Sequence, residues 1–443
     1  MKSALQSLYN HWMQNRRFAI GIMIFLTCLV RVIPMLALAT YQFNPRKEHW
    51  AFGHEWARLA KWLLERQMFS LNGDASTASW DPFYAFVIVP FFRVLGIYTM
   101  DAAVAILLFQ IGLCAATTWV IFVLAEKCYG AFEARVAALL FAFYPASVFF
   151  SIERIGPTSL IVLLIGALFL ATLALQRSQQ RRYAVWGGVM MGLLILTCSK
   201  TQSLLLVVPL WLWFAGNGNR VNRLASALLF VLVTCLTVLP WSIRNGVTFG
   251  TFAPSRADFS YHLWYGNNPK ATGYAFTSPE APEGVADAGT ISQAAYRRMA
   301  VAWIVQHPTE FAQLTMKRMK YFWYKITEER REQRQRLGDT VHTWSFMTVL
   351  GLALVGVCWS GGYFNRVSLL LLFLAAYPLV FYLTHMSLYR YRFPIEPFLL
   401  ILAARGLYGV WYGVIRRGRR GSRREAPNMD PVTEHPHRVP VGT

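Results

Sequence analysis

Charge is scarce in this sequence. Asp, Glu, Lys and Arg make up 15% of its 443 residues, where a soluble enzyme of that length would carry about 25%. With 55% apolar residues and a mean hydropathy of +0.36, that shortage argues against a multidomain soluble protein. Acidic side chains are rarer still, 22 against 43 basic, for a net charge of +21. The basic residues do not gather into one face. They sit in short loops between apolar runs, which argues against nucleic acid as a partner and fits the positive-inside bias and attraction to anionic lipid. No Cys-x-x-Cys pair exists. Cys28, Cys114, Cys128, Cys198, Cys235 and Cys358 lie in or beside apolar runs, so neither a disulfide framework nor a cysteine zinc site is expected. The nine histidines include no His-Glu-x-x-His, and no solenoid repeat is visible.

What the chain does contain is apolar runs, near 18–40, 82–97, 101–125, 134–151, 157–175, 184–198, 203–216, 224–241, 344–361, 367–384 and 393–415. Hydrocarbon leaves a backbone no hydrogen-bond partner but itself, so all should be helices. The expected fold class is an all-α polytopic membrane protein with about 10–11 transmembrane helices and two outer-face loops. The run 18–40 is too long for a signal-peptide core and reads as a retained first span.

Basic loops set the orientation. Lys2, Arg16 and Arg17 precede the first span. Arg177, Arg181 and Arg182 share one short loop, Arg220 and Arg223 another, and Arg416 to Arg424 follow the last span. All four regions should be cytoplasmic, which puts 41–81, 152–156, 199–202, 242–343 and 385–392 on the outer face. Eleven spans cannot leave both ends inside. Either an early segment fails to cross, 82–97 with Pro90 being the shortest candidate with a proline, or the side assigned to 126–156 is wrong.

Four regions follow: a membrane module 1–241 with an acidic first outer loop 41–81, an outer-face region 242–343, C-terminal membrane helices 344–415, and a basic cytoplasmic tail 416–443. Within the first loop, Glu55 to Phe69 reads as an amphipathic helix lying at the interface, with Trp56, Leu59, Ala60, Leu63 and Leu64 at helical spacing. The second region opens with turns (Asn245-Gly246, Gly266 to Pro269, Gly273). It continues as a polar helix 290–306 and a basic aromatic helix 309–336, broken at His307-Pro308. The tail 418–443 has little apolar content and should be disordered.

The run Tyr389-Arg390-Tyr391-Arg392-Phe393-Pro394 places two arginines at the mouth of the last span. Charge at mid-membrane costs about 2.5–3.5 kcal/mol on insertion scales, so a pair held close to hydrocarbon points to an anion. A phosphate on a lipid carrier is the first candidate. If the segment is extended, residues two apart face the same way, and both guanidinium groups address one anion, with Tyr389 beside them. In the first outer loop, Glu55 and Arg58 are three apart on one helix face. They form either an exposed ion pair of little worth or a general base with its orienting cation. Glu48, Asp74 and Asp81 compete for the base role. Glu153, beside Arg154, is either a carboxylate in the headgroup layer or a group that holds an acceptor hydroxyl or a cation. Lys200 either snorkels to the interface or binds phosphate.

Taken in order, these motifs resemble the bacterial membrane glycosyltransferases related to protein O-mannosyltransferases and to the aminoarabinose transferases of lipid A, within the C-type (GT-C) superfamily. The resemblance covers roughly residues 18–415. It rests on Pro240-Trp241-x-x-Arg244-Asn245, on Gly266-Asn267-Asn268-Pro269 with Gly273, and on the closing Arg390-x-Arg392-Phe393. At the front it rests on Glu55-x-x-Arg58-x-Ala60, Phe69-Ser70 and Thr77 to Tyr84. Departures are Phe69 without its usual preceding glycine, Ala85 where a second proline is usual, and Lys200 where arginine is common.

The resemblance implies transfer of one sugar from a polyprenyl-phosphate carrier to an acceptor hydroxyl, with inversion, at the outer face of a bacterial cytoplasmic membrane. Glu55 would be the catalytic base. Arg390, Arg392, Arg244 and Lys200 would bind the donor phosphate, supported by Arg58, Asp81, Glu153, Asn267, Asn268 and Tyr389. The acceptor is a lipid, a glycan or a protein. No cofactor is certain, and a divalent cation remains open. A transporter or flippase of lipid-linked sugars would need no base and would favour inverted repeats, which are not seen. A glycan polymerase or ligase also has a large outer loop with arginines but would not need the acidic first loop. A structural membrane subunit would not need charges at span mouths.

Overall fold

The computed structural model describes residues 12–42, 52, 55–273, 293–324, 333–384 and 389–424, and side chains within these except at 333–339, 389–390 and 413–424. Among the described residues the regular structure is helical, with no strand. Each apolar run of the sequence is a helix. Helix α1 spans Arg16–Ala37, α2 Trp56–Arg66, α3 Phe83–Leu95 and α4 Met100–Cys128. Helices α5 (Ala131–Phe143) and α6 (Pro145–Ile152) form a pair bent by 49°. Then come α7 (Thr158–Ser178), α8 (Arg181–Thr197), α9 (Leu204–Ala215) and α10 (Arg220–Phe249). Short α11 (Phe259–Gly266) leads to α12 (Gln293–Gln306) and α13 (Pro308–Trp323), and the bundle closes with α14 (Gln333–Cys358), α15 (Phe364–Ala376), α16 (Leu379–Leu383), α17 (Tyr389–Arg392) and α18 (Glu396–Arg424).

Local chemistry sets the ends. Asn15, Thr99 and Asn219 accept hydrogen bonds from the first-turn N–H groups of α1, α4 and α10, the usual service of an N-cap. Gly250, at φ +68°, closes α10 in the left-handed region that suits glycine. The bend between α5 and α6 is pinned by Arg31, fully buried in α1, which donates to the Ala142 carbonyl at 3.1 Å and to Ser147 Oγ at 2.6 Å.

Polar contacts sort the helix ends into two groups. At one end, Arg16 clasps Glu126 through Nε and Nη2 at 2.9–3.0 Å. There too Arg177 donates to the Lys127 carbonyl and Arg405 to Glu133. At the other end Asp81 meets Ser199 and Ser255. The chain runs between these ends ten times among the described residues, by α1, α4, the bent α5–α6 pair, α7, α8, α9, α10, α14, the α15–α16 stretch and α18. Seven helices are long and apolar enough to cross a membrane, or eight with the bent pair; α8 and α9 are the shorter passages. Helix α3 adds none. Asp81 before it is at the second end, and Tyr98 after it packs on Phe52 and Phe92 beside α2, so α3 leaves and returns on one side. That placement accords with 82–97 as the segment of the eleven that does not cross.

Other expectations shift. The basic helix expected over 309–336 ends at Trp323, because Tyr324 adopts extended backbone; residues 325–332 lie outside the described set. The break at His307-Pro308 is present. The tail is not disordered from 418, since α18 continues to Arg424. A helix nucleated in the bilayer adds one hydrogen bond per residue, and arginines suit its C-terminal dipole. Residues 425–443 are outside the described set. Helix α2 buries Ala57, Leu59 and Ala60 against the protein rather than leaving its apolar face to lipid alone.

Close packing depends on glycine where α14 meets α18. A Cβ on Gly356 would sit 1.9 Å from the Leu402 carbonyl oxygen, and one on Gly406 would sit 2.0 Å from that of Leu352. In lipid, where burial gives little drive between helices, such small-residue contact is a main source of association. Gly406→Ala is therefore expected to lower stability by about 3 kcal/mol. Gly351→Ala, with nothing within 4 Å of the added carbon, should leave it unchanged. Thermal unfolding of the purified variants in detergent checks both.

Candidate active site

The end opposite the Arg16–Glu126 pair holds a cavity of about 360 Å³. Its walls come from the start of α2, the turn before α3, the α6–α7 junction, the 3₁₀ turn Ser199–Ser203, and the 256–262 stretch leading into α11. Tyr377, Tyr391 and Pro394 line it from the C-terminal helices.

Asp81 organises one wall. It is buried, and its Oδ1 accepts from Ser255 Oγ at 2.7 Å and from the Ser199 N–H at 3.1 Å. Each of these partners is followed by a cation that lines the cavity, Arg256 and Lys200. One carboxylate thereby fixes the relative placement of two positive charges. Burial raises the Asp81 carboxyl above the usual carboxylate range, against the pull of Arg256 and the Ser255 hydrogen bond.

Lys200 has no carboxylate within salt-bridge distance among the described residues. Its ammonium lies over the Tyr391 ring at 3.6 Å and near the Phe381 ring at 5.4 Å, a cation–π seat that leaves its donors available. Arg256 pairs with Asp258 through two guanidinium nitrogens, and its Nη2 lies 3.0 Å from His262 Nε2. That same ring nitrogen is 3.0 Å from Asp258 Oδ2. Burial opposes ionisation of Asp258, but Arg256 and His262 overcome it and hold the carboxyl below its ordinary range. Burial likewise keeps His262 below the ordinary imidazole value, despite Asp258 beside it.

Behind the α6–α7 wall, Gln110 acts as a buried hub. Its Oε1 accepts from Tyr84 and from the Gly156 N–H at 2.6 and 2.8 Å, and its amide donates to the Ser151 and Arg154 carbonyls. This fixes the turn that carries Arg154 and Gly156 into the cavity.

Of the site residues expected from sequence, the structure brings Glu55, Asp81 and Lys200 together around this cavity. Glu153 sits just behind it, 3.8 Å from Arg154. Arg58 does not orient Glu55, since no ion pair joins them among the described residues, and its charge is felt by the Tyr98 hydroxyl. Arg244 does not line the cavity. It donates to the Thr77 carbonyl and Asn245 Oδ1, and lies against Trp241 and Phe249. Asn267 and Asn268 build the turn after α11, bonding the Leu263, Leu383 and Trp264 carbonyls. Asp74 is exposed, and Glu48 lies outside the described residues.

Arg392 departs most from expectation. It is 1% exposed and does not line the cavity. Its Nε donates to Glu396 Oε1 at 2.7 Å, its Nη1 to the Phe322 carbonyl at 3.0 Å, and its plane covers the Phe346 ring at 3.5 Å. Glu396 Oε2 also accepts from Tyr144 at 2.6 Å and lies 3.2 Å from His342 Nε2. The segment Tyr389–Arg392 is helical, not extended, so residues two apart do not share a face. The side chains of Tyr389 and Arg390 lie outside the described set. Among the described residues no group of three or more His, Cys, Asp or Glu forms a metal site.

Arg256, Asp258 and His262 carry no expectation from sequence. Their one signal is Asp258 and His262 spaced four apart across the start of a helix, a pattern too common to stand out among loop residues.

Comparison with known proteins bears on this geometry. The profile of the family described as dolichyl-phosphate-mannose-protein mannosyltransferase matches residues 81–243, beginning at Asp81. No curated protein matches the sequence. Among solved structures, the oligosaccharyltransferase of Archaeoglobus fulgidus in its apo form superposes at a TM-score of 0.57, with 12% identity, over 94% of this chain and 52% of its own. AglB from the same organism, in complex with an inhibitory peptide and a dolichol-phosphate, gives 0.55 and 12% over 95% and 53%. ArnT from Cupriavidus metallidurans, bound to undecaprenyl phosphate, gives 0.51 and 14% over 88% and 59%. The chain thus spans a little over half the length of these structures, and it has the fold of the C-type membrane glycosyltransferases, as its motifs implied.

Two outcomes follow from the buried groups. Arg392→Met leaves Glu396 uncompensated and is expected to cost about 3–5 kcal/mol. The double variant Arg392→Met/Glu396→Leu should recover most of it, as read by unfolding in detergent. For His262, a depressed folded pKa means that the folded chain binds fewer protons than the unfolded one. Its stability contribution is then present above the ordinary imidazole value of about 6.5 and is lost as pH falls below it. Melting temperature measured across that range should fall on acidification in the wild type and fall less in His262→Gln.

Proposed function

We propose that this chain is a glycosyltransferase that moves a single sugar from a polyprenyl-phosphate carrier to an acceptor hydroxyl, at the outer face of a bacterial cytoplasmic membrane. The observation that carries this reading is the cavity itself. A carboxylate, Glu55, stands in the same enclosed space as Lys200, Arg154 and Arg256, at the end of the bundle away from the basic loops. Its volume, about 360 Å³, lies in the range of small-molecule sites. The likeness to structures that hold dolichol-phosphate and undecaprenyl phosphate supports a lipid-phosphate donor.

The chemistry needs two things. The acceptor oxygen must lose its proton as it attacks the anomeric carbon, and Glu55 is the group proposed to take it. The bond from that carbon to the phosphate oxygen breaks with inversion, and its electron pair leaves on the phosphate. Lys200, Arg256 and Arg154 meet that developing charge in a site with little water to screen it. Asp81 positions the first two. Arg392, given a phosphate-binding role by the motif alone, is in this reading an anchor beneath the floor, carrying Tyr391 and so the seat of Lys200. The acceptor is left as a hydroxyl of a lipid, glycan or protein.

The test is sugar transfer from a radiolabelled polyprenyl-phosphate donor by purified variants. Glu55→Gln should still bind donor but lose about 10²–10⁴-fold in turnover, whereas Lys200→Ala should chiefly weaken donor use. Wild-type turnover in the Gln variant would remove Glu55 from the mechanism.

A further inference from the structure

At the basic end, far from the cavity just described, four segments distant in sequence enclose an open pocket of about 600 Å³. Lys127 comes from the last turn of α4, Arg177 from the last turn of α7 and Arg366 from the first turn of α15, with Gln176, Asn217 and Asn365 between them. No apolar side chain is among the lining residues, which argues against a hydrocarbon occupant. The pocket's one carboxylate, Glu126, is already held by Arg16 at 2.9–3.0 Å. None of the three cations has a carboxylate within salt-bridge distance among the described residues. Arg177 is oriented by its bond to the Lys127 carbonyl at 3.2 Å, and the Arg366 backbone by the buried Cys128 thiol.

Helix dipoles account for part of this charge. Lys127 and Arg177 sit at helix C-termini, where cations are favoured. Arg366 does not: it lies in the first turn of α15, where the dipole disfavours a cation. Three converging positive charges, one of them placed against its own helix, ask for an anion with several oxygens. Phosphate fits, since guanidinium and ammonium groups both bond its oxygens strongly. Asn217 and Asn365 add amide donors. Helices α4 and α7, both long and apolar enough to cross a membrane, end here, which is where lipid headgroups would meet the pocket.

We propose that this pocket binds a phosphate ester, supplied either by an anionic lipid headgroup of the leaflet at the basic end or by a soluble phosphate ester. The full-length protein in detergent is titrated with phosphatidylglycerol, with phosphatidylcholine and with glycerol phosphate, and bound species are read by native mass spectrometry. The Arg177→Gln/Arg366→Gln variant should bind phosphatidylglycerol about tenfold more weakly, with phosphatidylcholine unchanged; that outcome identifies a lipid. Loss confined to glycerol phosphate identifies a soluble ligand. Should the double variant fail to fold, Asn217→Glu, a change at an exposed loop residue that adds a negative charge to the wall, is read the same way. Binding of both anionic probes equal to wild type in a folded variant overturns the proposal.

Discussion

The buried pair of Arg392 and Glu396 is the constraint on which the C-terminal half of the bundle turns. Neither charge reaches water, and an isolated ion at that depth would be costly. The chain therefore surrounds the pair with partners from elements far apart in sequence: Tyr144 at the α5–α6 bend, His342 on α14, and the carbonyl at Phe322 near the end of α13. Meeting the demands of two charges forces four segments into one arrangement. The residue next to Arg392 is Tyr391, whose ring seats Lys200 and whose carbonyl accepts from Tyr377. Charge compensation below the cavity and cation placement within it are thus joined through one peptide bond.

A second division of labour separates the two ends of the bundle. The basic end is held by ion pairs that sort helix termini, Arg16 with Glu126 and Arg405 with Glu133. The cavity end is held by buried polar hubs, Gln110 and Asp81, whose bonds go largely to backbone and hydroxyl groups. A hub of this kind leaves Lys200 without a carboxylate partner among the described residues. Lys200 stays available to an anion because Asp81 is occupied by Ser199 and Ser255, and because Asp258 is taken by Arg256 and His262.

Much of the fold was legible from sequence because hydrocarbon permits so few structures. All eleven apolar runs are helices, and the break at His307-Pro308 falls where proline requires it. The turn expected at Asn245-Gly246 is instead helix, because α10 runs on to Phe249 and is closed by Gly250. The number of crossings was not legible. A 13-residue apolar helix such as α3 reads the same whether it crosses or lies along its neighbours, and only the contacts of Asp81 and Tyr98 decide. At the site, Glu55, Asp81 and Lys200 were legible because each stands at a span mouth or in a recognisable motif. Arg244, Arg392, Asn267 and Asn268 also stand in motifs, yet their side chains support the scaffold around the cavity rather than line it. A motif records that a residue type is needed, not which way it points.

The sequence by itself determined the class of solvent this chain folds in, the helical state of its apolar runs, the basic loops that gather at one end, and an order of motifs that resembles that of the C-type glycosyltransferases. These properties are carried by composition and spacing, which survive without knowledge of neighbours. Tertiary structure decided which charges neutralise one another and which remain available to a ligand. That depends on distances of about 3 Å between residues up to 272 positions apart, as from Glu133 to Arg405, and hydrogen bonding falls off over fractions of an ångström. The fate of Arg392, spent on Glu396, and of Lys200, left facing the cavity, was therefore fixed only when the helices packed.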